Sequence, residues 1–333
     1  MSSVMHHPGS GSAFLSTDEW VEHCDQVEAH TLPHGTTIAN VGTGVSTVLA
    51  DLDFETYSEA GYTFDEVKRK WRKVDGAPKG AGSGLSVVGV VNYVSHPTAE
   101  VLSLAYDLKD GGGSRLWMPG MPFPQDLLDY VARGGLIAAW NSAFEYWAWE
   151  FLCHRGLGWP KLEFWKLRDD MAKAQAFGLP GMLGKAGDAV SAPIQKQADG
   201  KRLLNKFSIP QNPLKACPDR RRVFLRDEPE DAAKLYQYNI GDIQSEAAIS
   251  ARVPDLSPYE LGIWLYDQAV NVRGVQIDID AVRDFIAIVY HAQDKYRAEL
   301  VAITGGLVQT ESKVADMKAW AATHGVHWTT IDK

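Results

Sequence analysis

Cysteine is scarce: the 333 residues hold three, Cys24, Cys153 and Cys217, far apart and never in CxxC spacing. That excludes a zinc knuckle and a disulfide framework, and a reducing cytoplasm (of a bacterial host or a phage-infected cell) is the expected compartment. No apolar run reaches the roughly 20 residues of a membrane-spanning helix, so no membrane is expected as a partner. The first twelve residues, MSSVMHHPGSGS, lack the apolar stretch of a secretory signal and read as a flexible leader. Excess positive charge is missing too. Lys and Arg number 33 against 42 Asp and Glu, a formal net charge of −9. Such a chain does not coat nucleic acid non-specifically. It still fits a nuclease, whose centre is acidic and whose cationic contacts are local. Three basic clusters are present: Lys68–Lys73 around Trp71, Lys201–Lys206, and Arg220–Arg222 with Arg226. Such runs are ordinarily solvated surface, and Trp71 tilts the first towards nucleic acid.

What is there begins with Leu52–Tyr57, LDFETY, after the apolar run Ser46–Ala50. In a strand, side chains alternate, so Asp53 and Glu55 share a face and Phe54 points towards a core. Two adjacent carboxylates repel and lose hydration, which a cation between them relieves. Hard divalent ions such as Mg²⁺ suit carboxylate oxygen. An edge strand with two solvated acids is the other reading of this stretch.

The length predicts about two domains. Residues 14–32 read as a short amphipathic helix, with His23, His30 and His34 as scattered surface histidines. Ser58–Gly84 is polar and glycine-rich and reads as a surface insertion, a loop over the site. The valine-rich Leu85–Tyr93 and Val101–Tyr106 read as two strands, and Arg115–Trp117 as a third, in a meander opened by the acid-bearing strand. Pro124 opens a helix to Arg133, Leu136–Trp140 is a buried strand, and Asn141 caps a helix over Ser142–His154. The combination predicts an α/β fold with a mixed sheet flanked by helices.

Glu145 falls in the first turn of the helix that follows a strand, where a carboxylate is favoured by the helix dipole alone. Within the expected helix Asp231–Arg252, Tyr238 and Asp242 stand i, i+4 and project from one face, and Glu246 extends the row. A phenol one turn from a carboxylate can hold a water against an ion that the carboxylate binds. Beyond Asp255 the chain reads as helices Pro258–Val272, Ile279–Thr304 and Glu311–His324, with Gly305-Gly306 as a stop. Leu261, Trp264, Leu265 and Ala269 form an apolar stripe.

Taken in order, Asp53-x-Glu55, Asn141-x-x-Phe144-Glu145 and Tyr238-x-x-x-Asp242 resemble the three motifs of DnaQ-like 3′–5′ exonucleases, DEDDy type. The chain from about Val48 onward is similar to phage and prophage family A DNA polymerases, including Ala172–Ala186, Gly200–Pro210 and Leu265–Asp278. The resemblance implies an RNase H-like exonuclease domain over 45–254. A leader precedes it at 1–44, and a helical segment at 255–333 is similar to the start of a polymerase thumb. It implies two Mg²⁺ or Mn²⁺ held by Asp53, Glu55, Glu145 and Asp242, with Tyr238 orienting a water and proofreading-type release of nucleoside monophosphates. Phe54, Thr56, Asn141 and Phe144 would meet the substrate, a single-stranded or frayed DNA 3′ end. A separate polymerase subunit or the rest of a polymerase would be the protein partner. Two residues depart from the pattern: Glu145 stands where aspartate is usual, and Trp140 where histidine is common. Asp169 is a further candidate acid. The alternatives are a catalytically weakened module that binds DNA or docks to a polymerase or replisome, and an RNA-trimming exonuclease of the same fold.

Overall fold

The computed structural model describes residues 49–74, 84–193 and 200–328. The leader, the helix expected at 14–32 with its histidines, and Cys24 lie outside them. The chain divides into two compact units between Arg273 and Gly274, so the helix Pro258–Arg273 belongs with the first.

The first unit is built on β1, Leu49–Tyr57. Every second residue of its apolar set (Ala50, Leu52, Phe54) enters one core, and the acids Asp51, Asp53 and Glu55 take the other face. Four further strands complete the sheet: β4 (Glu100–Asp107), β5 (Arg115–Trp117), β6 (Leu136–Ala139) and β7 (Leu167–Asp169). Their order is β5-β4-β1-β6-β7, antiparallel from β5 to β1 and parallel from β1 to β7. With its flanking helices this is an α/β fold consistent with the RNase H-like class.

β1 and β4 fall out of step between Glu55 and Thr56, because Glu55 faces Ser103 whereas Thr56 faces Val101. Leu102 is the extra residue of this bulge. Leu102 and Ser103 therefore both face the acid side: Leu102 packs with Tyr57 and Tyr238, and Ser103 bonds Asn239.

The expectations for Ser58–Gly84 and Leu85–Tyr93 need correction. Within the first, Tyr62–Asp65 (β2) and Lys70–Lys73 (β3) pair as an antiparallel hairpin rather than a loop; residues 75–83 lie outside the description. The second is not a strand but helix α1, Leu85–Val94, bent at Gly89, whose φ is 78°. A short apolar run without alternation fits a buried strand or a helix segment equally well. The meander is thus two strands, β4 and β5, added antiparallel to β1.

On the apolar side of the sheet lie α1, α2 (Gln125–Ala132) and α3 (Ser142–Ala148), which continues as a π-helix over Trp149–Arg155. Trp117, Trp149 and Trp159 meet there edge to face, Trp159 with its ring centre 4.8 Å from Trp117 and 5.2 Å from Trp149. Such pairs add about 0.5–1.5 kcal/mol each beyond area burial. Trp264 and Ala269 of the helix Pro258–Arg273 pack on this core and Val272 enters it. On the acid side lie α4 (Asp170–Ala176), α5 (Leu183–Ala189), α6 (Gly200–Phe207) and the long α7 (Pro229–Ser250), which crosses β1 and β4. α8 is Pro258–Arg273.

The second unit holds α9 (Ile279–Ile303) and α10 (Val314–Thr323), with Thr304, Val308 and Ala321 buried. Asp278 caps α9 by accepting from the Ala281 amide, and Gly305 and Gly306 end it with φ of 61° and 85°. Among the described residues no helix is long and apolar enough to cross a membrane.

Candidate active site

β1 presents Asp53 and Glu55 to α7, and α7 presents Tyr238 and Asp242 back to β1. An oxygen from each of Asp53, Glu55 and Asp242 lies within 4.8 Å of the others. Glu55 and Asp242 are buried and Asp53 is half-buried. Three hard carboxylates at this spacing, with no soft donor among them, suit Mg²⁺ or Mn²⁺. The donor set therefore fits the divalent ion that the sequence implies.

Glu145 arrives from the start of α3 but has a different engagement. It is buried, and its Oε2 accepts the backbone amide of Phe54 at 3.1 Å. Burial, then the Asp53 charge, push its carboxyl well above the usual range. It stands beside the three-acid group, one peptide behind the acids of β1. Tyr238 is buried, and burial with the Asp242 carboxylate raises its phenol strongly. The phenol therefore stays protonated, and it hydrogen-bonds Asp242.

The remaining sequence candidates lie outside the three-acid group, and two of them, Thr56 and Phe144, meet at Tyr93. The Phe54 ring lies in the core, edge-on to Trp149 at 6.5 Å, so it is its amide that faces the acids. Thr56 is buried, its Oγ1 donating to the Tyr93 hydroxyl at 3.4 Å. Phe144 is half-buried beside the Tyr93 ring. Asn141 is exposed, in the left-handed region at φ 68°, and makes no side-chain cap to α3. That expected cap is supplied by Asp169, whose Oδ2 accepts from the Ser142 amide at 2.7 Å and hydroxyl at 3.0 Å. Its Oδ1 accepts the Ala172 amide at 2.7 Å. Asp169 thus ties two helix starts rather than joining the three-acid group. Trp140 donates from Nε1 to the Gly181 carbonyl.

Two residues that support the site escaped the sequence reading. Asn239 is fully buried and donates from Nδ2 to Asp53 Oδ2 at 2.5 Å, while its Oδ1 accepts from Ser103 at 2.8 Å. An asparagine inside a helix is a poor helix former, and that mismatch was the available signal. Gly200 opens α6 against the Tyr238 ring: a Cβ there would lie 2.0 Å from Tyr238 Cε2. Asn239→Ala frees the Asp53 carboxylate to turn. The expected result is a 10–100-fold weaker Mn²⁺ affinity by calorimetry with the fold intact.

Behind the three acids lies a second buried acidic row. Glu246, one turn beyond Asp242, hydrogen-bonds Asp170, which also accepts from Ser250. Asp51 pairs with Lys109. Burial, outweighing Lys109, pushes Asp51 up to about 6, and burial raises Asp170 and Glu246 as well. The native state here keeps protons that the unfolded chain releases near pH 4. Stability from these groups is thus full below that pH and falls at higher pH, for Asp51 as pH rises through about 6. Asp231, held below the usual range by Arg202 and Lys206, acts in the opposite sense, losing its contribution only in stronger acid. In EDTA the protein is expected to melt higher at pH 5 than at pH 7.5. A flat or rising profile in differential scanning calorimetry contradicts this.

No protein-family model matches the chain. The chain is similar to a DNA polymerase of Bacillus phage SP02, 30% identical over 253 residues. The match covers 74% of this chain and 37% of that polymerase, so the chain spans well under half of its relative's length.

Proposed function

We propose that the protein is a metal-dependent 3′–5′ exonuclease acting on DNA ends, of the proofreading type. The observation that carries this is the close approach of Asp53, Glu55 and Asp242 from a strand and a helix, Asp242 lying 187 residues beyond Glu55 in the sequence. The likeness to a phage DNA polymerase supports DNA as the substrate. When bound, a pair of Mg²⁺ or Mn²⁺ ions would activate the attacking water and stabilise the leaving 3′ oxygen. Asp53, Glu55 and Asp242 would hold the ions, with the Asp53 rotamer fixed by Asn239. Glu145 bonds the peptide between Asp53 and Glu55 and adds negative charge beside them. Tyr238, kept as a phenol, places a hydroxyl one turn from Asp242 to orient the water. The domain plan proposed is an exonuclease domain over 45–254 and a helical segment over 255–333 similar to the start of a polymerase thumb, its first helix, Pro258–Arg273, packing within the first unit.

A second reading, a DNA-binding or docking module with weakened cleavage, draws on the engagement of Glu145 with the Phe54 amide. A 5′-labelled single-stranded oligonucleotide separates the two. The exonuclease produces a ladder of single-nucleotide steps with Mg²⁺ or Mn²⁺, none with EDTA, and none from Asp53→Ala. Equal laddering by wild type and Asp53→Ala would rule the reading out. Oligonucleotide binding with little Mn²⁺ uptake by calorimetry and no laddering favours the second reading. Parallel ribo- and deoxyribo-oligonucleotides distinguish RNA trimming.

A further inference from the structure

The basic clusters at 68–73 and 220–226 lie about 150 residues apart in sequence, yet they form one surface. Trp71 is the rivet. Its amide donates to Asn212 Oδ1 at 2.7 Å and its indole Nε1 to the Arg221 carbonyl at 3.1 Å. Arg69 reaches the Pro218 carbonyl and Asp219. Arg221 bonds Glu66 through Nη2 at 3.0 Å and lies over the Phe64 ring at 3.9 Å. Trp71 is therefore occupied in joining the hairpin to the loop and is not offered to a base.

The same loop reaches the end of β1. Arg222 lies 3.7 Å over the Tyr57 ring and bonds Glu100. Arg222 and Arg226 each lie over the Phe224 ring, 4.4 Å from its centre. Tyr57 is two residues beyond Glu55, about 7 Å along the strand. The cationic surface therefore begins where the three-acid group ends.

Residues 62–73 and 211–226 together carry ten Lys and Arg against three Asp and Glu, in a chain of net charge −9. Several of the arginines are fastened to acids, and these fix the architecture. Lys68, Lys70, Lys215 and Arg226 are exposed on it. A chain of this overall charge repels a nucleic-acid strand, so attraction must come from a local field. A cationic surface abutting a cluster of three acids fit to hold a divalent ion is complementary to one ligand class in particular: a polyphosphate strand whose end enters that centre.

We propose that the hairpin Tyr62–Lys73 and the loop 211–226 form one platform that holds the backbone phosphates of single-stranded nucleic acid. Lys68, Lys70, Lys215 and Arg226 supply the charge. The path of the strand into the three-acid site rests on the exonuclease reading, whereas the binding itself does not. The platform attracts by charge, reads no base, and leaves hydrolysis of a substrate too short to reach it unaffected.

The test uses the full chain in EDTA, where no cleavage occurs, with a 5′-fluorescein 20-mer of thymidylate followed by anisotropy across a KCl series. Wild type is expected to bind with a steep salt dependence. Lys68→Gln/Lys70→Gln/Lys215→Gln is expected to bind at least tenfold more weakly. Its log–log salt slope should be smaller by about 2, since each phosphate contact on a single strand contributes about 0.7. These lysines are exposed, so an unchanged melting temperature is expected, and Arg226→Gln provides an independent single variant with a smaller loss. With Mn²⁺ present, the triple variant should raise KM for the 20-mer and leave hydrolysis of the p-nitrophenyl ester of thymidine 5′-monophosphate unchanged. Absent wild-type binding overturns the proposal. So does equal affinity and slope in the variants, or displacement by polyglutamate as effective as by oligonucleotide, which would mark an acidic protein as the partner. A protein that binds in this way but never cleaves would refute the exonuclease reading and leave the platform standing.

Discussion

Asp242→Asn is expected to melt at a higher temperature than wild type in EDTA, and to lose about a thousandfold of its cleavage rate in Mn²⁺. Both effects have one cause. Asp242 is buried within 4.8 Å of two other carboxylates. Without a cation, three like charges at this spacing repel across a poorly hydrated space, so the folded state carries a cost. The isosteric amide removes one charge and keeps an oxygen to accept from Tyr238. With the ion, the same charge is what binds it. Loss of about 4 kcal/mol of transition-state stabilisation corresponds to about 10³ in rate. The melting temperature of wild type should also rise with added Mn²⁺, and that of the variant far less. Thermal melts with and without Mn²⁺ check both signs. A variant that melts lower than wild type in EDTA would mean that Asp242 is a structural group whose charge the fold already satisfies.

Gly200→Ala is the second large expectation, and its sign is unusual. Alanine in a helix ordinarily gains up to about 1 kcal/mol over glycine. At Gly200 the added methyl would lie 2.0–2.6 Å from three atoms of the Tyr238 ring. Tyr238 is buried among Tyr57, Leu102, Leu203 and Leu235 and has nowhere to turn. The expected outcome is a loss of about 1–3 kcal/mol in stability. Cleavage should fall at least tenfold as the phenol moves off its place beside Asp242. A double-mutant cycle isolates the cause. In a Tyr238→Ala background the ring is gone, and Gly200→Ala should then stabilise the protein. Destabilisation of the same size in both backgrounds would show that the strain lies in the backbone and not against the ring.

The acids and the phenol were legible because two simple periods place them. Alternation in β1 puts Asp53 and Glu55 on one face, and the i, i+4 step puts Tyr238 above Asp242. The strands over Val101–Tyr106 and Leu136–Ala139 were legible for a different reason, as short apolar runs bounded by turn residues rather than by alternation. Leu85–Tyr93 was misread as a strand because a valine-rich run has no alternation to separate strand from helix. Asn141 has the right residue type for a cap, but its left-handed backbone leaves Asp169, from a neighbouring strand, to accept the Ser142 amide. Neither the Ser103–Asn239–Asp53 chain nor the glycine under Tyr238 has a local pattern. Both depend on which distant segments the sheet brings together, and sequence spacing does not carry that. The union of the basic clusters is of the same kind: Trp71 looked like a base-stacking residue and serves as a fastener.

The extra residue in β4 has a consequence for how this domain tolerates changes in length. Because Leu102 and Ser103 turn to the same side, one fills space under the phenol while the other orients the asparagine that steers Asp53. Deleting Leu102 would restore plain alternation and leave a single side chain to do both. The hairpin tip at Val67 is exposed, so an insertion there spares the core and disturbs only the fastening of Glu66 and Arg69 to the 211–226 loop, whereas the four residues Val101–Leu104 cannot lose or gain one. Grafting or circular permutation of this domain should therefore open the chain at the hairpin tip and leave β4 whole.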